Sequence, residues 1–183
     1  MQKTKLLRQF NALEVSRVKL MDDLKKLEKG SLQFKPNADK WSVNQVLNHL
    51  QFSERASITY ATKKMQGGKS VHKTGLSATV RSEALSLFLR SGYKWKAPAV
   101  LAAASENLPF EEVLQRWNET RVQMKSFLEN LPEDLISREI YKHPRAGRLN
   151  VIQMMQFFQD HFNHHLPQIN RLKKEITAMK GNK

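Results

Sequence analysis

Apolar residues recur at three- and four-residue steps along four long stretches of the chain, and no stretch shows a convincing two-residue alternation. The first stretch runs from about Thr4 to Lys29, with Leu6, Phe10, Leu13, Met21, Leu24 and Leu27 on one face and Gly30 placed as its stop. The second opens at Ser42, a suitable N-cap, and buries Val43, Val46, Leu47 and Leu50 before Gly67-Gly68 ends it. The third starts at "NLPFEEVLQRW", with Pro109 in its first turn and Glu111 and Glu112 placed against the helix dipole. Its inward face is Phe110, Val113, Leu114, Trp117, Met124, Phe127 and Leu128, and it stops before Pro132. The fourth follows "HPRAGRLN", is capped by Asn150 and continues to about Met179.

Four amphipathic helices with a long middle connection predict an all-α fold, a four-helix bundle of one domain over residues 1–183. The connection covers about 66–108, and "SEALSLFLRSG" predicts a short helix within it. The tail from about 179 to 183 is expected to fray. Hydrophobic residues make up 40% of the chain, enough for a real core. No apolar run approaches about 18 residues and the N-terminus has no signal-like apolar core, so a soluble cytoplasmic protein is expected, without membrane partners.

Charge changes this picture. The net charge is +14, and eight Lys or Arg against Glu83 alone give +7 between Lys63 and Lys96. Such a basic crossover either is a solvated loop or suits an anionic small-molecule substrate or thiol. It also admits a nucleic-acid-binding protein, although no helix-turn-helix, zinc-finger or RNA-binding pattern is present. The chain has no cysteine, so a metal site would have to use His, Asp or Glu.

The densest chemistry is "QDHFNHHLPQ", residues 159–168, which holds three of the six histidines. The apolar line of the fourth helix reads Val151, Met154, Phe158, then His161 and His165, then Ile169, Leu172 and Ile176. These steps put His161 and His165 on the core side, one turn apart, where two imidazoles can converge on one ion or simply bond to each other or to backbone. His164 is one position off that line, with Gln168 and Arg171, and faces a rim. His49, on the second helix beside Val46 and Leu50, is the candidate third ligand, with small Ser53, Ala56 and Ser57 following it. His72 and His143 read as surface loop residues.

"KWSVNQVLNHLQFSE" followed by "GRLNVIQMMQFFQDHFNHHLPQI" resembles the DinB/YfiT-like superfamily, whose members are regarded as metalloenzymes, over about residues 5–175. The resemblance implies an up-down-down-up bundle with a three-histidine divalent-metal site on His49, His161 and His165. Relatives of this kind include bacillithiol S-transferases and mycothiol-dependent maleylpyruvate isomerase. It therefore implies a metal-dependent thiol S-transferase or hydrolase, with a low-molecular-weight thiol as co-substrate; a DinB-like scaffold without catalysis is the alternative. Three imidazoles leave an open coordination position, and zinc or nickel, or else iron or manganese, suits them. Glu54 and Asp160 are the nearest carboxylates in sequence and either orient the imidazoles or are ordinary surface charges. Arg121 either binds a substrate carboxylate or snorkels over apolar surface. A homodimer is also expected. Pro167, two residues after the last histidine, departs from the pattern and is expected to kink the fourth helix.

Overall fold

The computed structural model describes residues 1–67, 72–92 and 106–181. The fold is mostly helical, as the periodicity predicts. Among the described residues five α-helices occur: α1 (Gln2–Lys25), α2 (Val43–Gln66), α3 (Leu76–Arg90), α4 (Phe110–Asn130) and α5 (Val151–Gly181). No helix among these residues is long and apolar enough to cross a membrane.

Two helix starts are fixed by reciprocal capping. The Ser42 hydroxyl accepts from the Gln45 N–H while the Gln45 side chain accepts from the Ser42 N–H, at 3.1 and 3.0 Å. Asn150 and Gln153 make the same exchange at the head of α5, at 2.9 and 3.0 Å. Each box satisfies N–H groups that a helix start otherwise leaves unpaired, and so sets the register of a histidine-bearing helix. Pro109 directly precedes α4, and Gly67 directly follows α2.

Two expectations need correction. The first helix ends at Lys25, not Lys29, and Lys29–Gln33 forms a 3-10 turn that contains Gly30. The early turn carries Leu32 into the core, where it is 1% exposed, and burying a leucine is worth about 1.5–3 kcal/mol. The chain also has strands after all, β1 (Tyr141–His143) and β2 (Gly147–Leu149), paired antiparallel. Three residues per strand are too few to show an alternation in the sequence. Gly147 turns the hairpin with a φ of +73°, a conformation that other residues adopt at a cost.

Specific bonds give the helix directions. Lys3 donates to the Glu129 carbonyl and Arg17 to Asn118, so α1 and α4 run antiparallel. Asn44 donates to the Leu108 carbonyl and Gln51 to Thr120, so α2 and α4 run the same way. The helix expected within the connection is α3, which begins earlier than the sequence suggested and lies along α5. Of the basic window, Lys63 and Lys64 close α2, and Arg81 donates to the Ala146 and Arg148 carbonyls. Lys69, Lys94 and Lys96 lie outside the described residues. Helix α5 continues unbroken through Pro167. Pro167 and Asn163 are both exposed, so the carbonyl deprived of a donor is on the water side.

Candidate metal centre

The capping box at Ser42 starts α2 so that His49 falls nearly two turns in, on the face that meets α5. The box at Asn150 does the same for α5 and brings His161 and His165 round to α2. The three imidazoles form a triangle. Ring centroids are 4.9 Å apart for His49 and His161, 5.1 Å for His49 and His165, and 4.9 Å for His161 and His165. One nitrogen from each lies within 4.8 Å of the other two. His49 Nε2 and His161 Nε2 are 3.0 Å apart, one donating and the other accepting. His49 and His161 are buried, and His165 keeps a small exposed part.

Aromatic neighbours close the other sides. Phe157 stacks on His161 with centroids 5.1 Å apart and rings 16° from parallel. Trp41, partly exposed, lies 5.2 Å from the His49 ring. Burial in these surroundings opposes protonation. It pushes His49 down to about 4, with repulsion from His164 adding to it. Burial takes His165 to about 3, His49 pushing the same way and the Gln168 bond opposing. His161 is held well below its ordinary value by burial and then by His165 and His49. At neutral pH the cluster is therefore three neutral imidazoles, each with one lone pair, which is the state a divalent ion needs. The His49 Nδ1 is buried without a hydrogen-bond partner.

The other candidates lie elsewhere. His164 is partly exposed and its Nδ1–H donates to the Leu89 carbonyl at 2.7 Å, tying α5 to the last turn of α3. Its ring is 5.0 Å from that of His165. Glu54 is not a surface charge and its bonds point away from the histidines. Its Oε2 accepts from Trp117 at 3.0 Å and Arg121 at 3.2 Å. Asp160 is likewise buried, with its carboxylate taken by Ser86, Arg90 and Gln156. In each helix the carboxylate's position turns it toward a different neighbour from the one the histidines meet. Arg121 does not snorkel: it is 3% exposed, sits over the Phe10 ring and pairs with Glu14 and Glu54.

His143 is corrected too. It is buried in β1, not on a surface loop, because its Nδ1 accepts from the Arg145 and Ala146 N–H groups and so organises the hairpin turn. Its ring lies 4.5 Å from Phe157, the residue that stacks on His161. His72 is exposed, as expected. Sequence reading missed Phe157, Trp41 and Gln168 as neighbours of the site. The spacing that could have found Gln168 is its place three residues after His165, one turn on along the same helix.

The DinB superfamily model matches residues 12–169. The uncharacterized protein YuaE of Bacillus subtilis (strain 168) is 27% identical over 161 residues, covering 88% of this chain and 94% of that protein. No solved structure matches the chain. The family match takes in all three histidines of the triangle, the whole of α2 and α5 as far as Ile169, and the chain belongs to the DinB superfamily.

Proposed function

We propose that this chain is a divalent-metal-dependent enzyme, a thiol S-transferase or hydrolase, whose ion is held by His49, His161 and His165. The observation that carries the reading is the convergence of three neutral, largely buried imidazoles from two helices on one point. The DinB family is itself associated with metal binding. In this reading α1, α2, α4 and α5 make an up-down-down-up four-helix bundle over a single domain. The antiparallel α1–α4 pair and the parallel α2–α4 pair support it.

Zinc or nickel suits an all-imidazole site best. Such an ion supplies Lewis acidity, which lowers the pKa of a thiol or water that reaches the pocket. The chain's own residues do the rest. Phe157 and Trp41 keep water from the buried sides of the imidazoles. The partly exposed corner at His165 and His164 is the way in for substrate. The chain has no cysteine, so the thiol is a separate low-molecular-weight molecule, and the +14 net charge favours an anionic one.

Elemental analysis of protein purified without an affinity tag or chelator tests the reading. About one equivalent of zinc, nickel, iron or manganese per chain is expected, and loss of thiol absorbance against a panel of electrophiles should depend on it. A protein that stays metal-free after incubation with each of these ions would overturn it.

A further inference from the structure

We infer that Gln168 is a positioning residue that holds the His165 imidazole in the tautomer with its proton on Nδ1, leaving Nε2 as the nitrogen free to bind an ion. The inference rests on the metal-site reading above and adds a residue to it.

The His165 Nδ1 lies 3.0 Å from the Gln168 side-chain oxygen. A carbonyl oxygen only accepts, so the imidazole nitrogen facing it carries the proton. The remaining nitrogen then has the lone pair. A ligating histidine ordinarily has its second nitrogen held in this way, because the bond fixes both tautomer and ring orientation.

Gln168 is three residues beyond His165, so the two side chains share one helix face. Between them stands Pro167, whose ring fixes its own φ near −65° and stiffens the turn. The bond therefore forms within a short, restrained stretch and needs no other element of the fold. The other two imidazoles are held differently. His49 Nδ1 is buried with no partner, and the His49 and His161 Nε2 atoms bond to each other. That mutual bond must be given up when an ion enters between them. His165 has no such bond to lose, and Gln168 makes it the ligand already set for binding.

Two variants separate positioning from mere packing. Gln168→Leu keeps the size and removes the acceptor; Gln168→Glu keeps an acceptor at the same reach. Zinc and nickel affinities are measured on metal-free protein by competition against a chromophoric chelator. Ring-nitrogen NMR of metal-free protein reads the His165 tautomer, and thermal melting reads the fold. Gln168→Leu should weaken both metals about 10–100-fold, with the metal-free melting temperature little changed. Gln168→Glu should restore affinity to within a few-fold of the parent. The parent spectrum should show the His165 proton on Nδ1. An unchanged affinity in Gln168→Leu, or a proton on Nε2 in the parent, would overturn the inference. If the parent binds neither metal, the metal reading fails on its own account and the NMR result alone decides the role of Gln168.

Discussion

Acid should expose the role of His143 in supporting the site from behind. Its Nδ1 accepts two backbone N–H bonds, from Arg145 at 3.2 Å and Ala146 at 3.0 Å. A proton on Nδ1 would set three donors against one another inside the hairpin. Burial, then repulsion from Arg145, lowers its pKa from 6.5 to about 4. As pH falls, the unfolded chain therefore takes up this proton first. The contribution to stability is fully present above about pH 6.5 and drains away as pH falls toward about 4. From about pH 7.5 to about pH 4.5 the loss from this one group is about 2 to 3 kcal/mol.

The assay is urea unfolding of chelated protein at those two pH values, for the parent and for His143→Asn. The asparagine oxygen can accept the same two N–H bonds and does not titrate. Contributions from His49 and His165 occur in both proteins and cancel in the difference, while His161, which His143 also pushes down, cancels only in part. The parent should lose about 2 to 3 kcal/mol more than the variant between the two pH values, while at neutral pH the two should lie within about 1 kcal/mol. Equal pH dependence in both would refute the reasoning, since it would mean that the turn tolerates a charged His143.

Three further outcomes are expected. Replacing His49, His161 or His165 with Ala should each abolish stoichiometric metal by elemental analysis, while His164→Ala should retain it; loss in His164→Ala with retention in His165→Ala would defeat the assignment. Arg121→Met strands Glu54 without its ionic partner, and should cost about 3–5 kcal/mol in urea unfolding. A cost below about 1 kcal/mol would show that the pair does not hold the helices. Chelation should lower the melting temperature only by the binding linkage, and disappearance of the helical circular dichroism at room temperature would contradict a core that is complete without metal.

The sequence made the histidine-bearing helices legible because their signals are local and repeated. Ser42 and Asn150 mark starts, and the apolar steps of α5 run straight through His161 and His165. A one-residue offset separates His164 from that line, and the structure turns it to Leu89 on α3. What the sequence hid depends on contacts far apart in the chain. The end of α1 was misread because Leu32 turns inward, a choice made by the core and not by helix propensity. The hairpin of residues 141–149 was missed because each strand is only three residues long. His143 looked like a loop residue for the same reason, and its burial follows from the strand.

Glu54 and Asp160 are both buried, and their bonds run away from the histidines. A carboxylate five residues past His49, or one residue before His161, points to a different side of its helix from the histidine. Glu54 reaches Trp117 and Arg121 on α4, and Arg121 passes the interaction on to Glu14 on α1. Asp160 reaches Ser86 and Arg90 on α3. Each helix that carries the candidate ligands is thus fastened from its far side by a buried carboxylate. A site whose ligands must meet within tenths of an ångström needs its supporting elements held in place. Here α2 is held by α4 and α1, and α5 by α3 and, through Phe157, by the hairpin that His143 closes. The two acids position the histidines without touching them, so their loss should loosen metal binding through helix placement and leave the imidazole chemistry as it is.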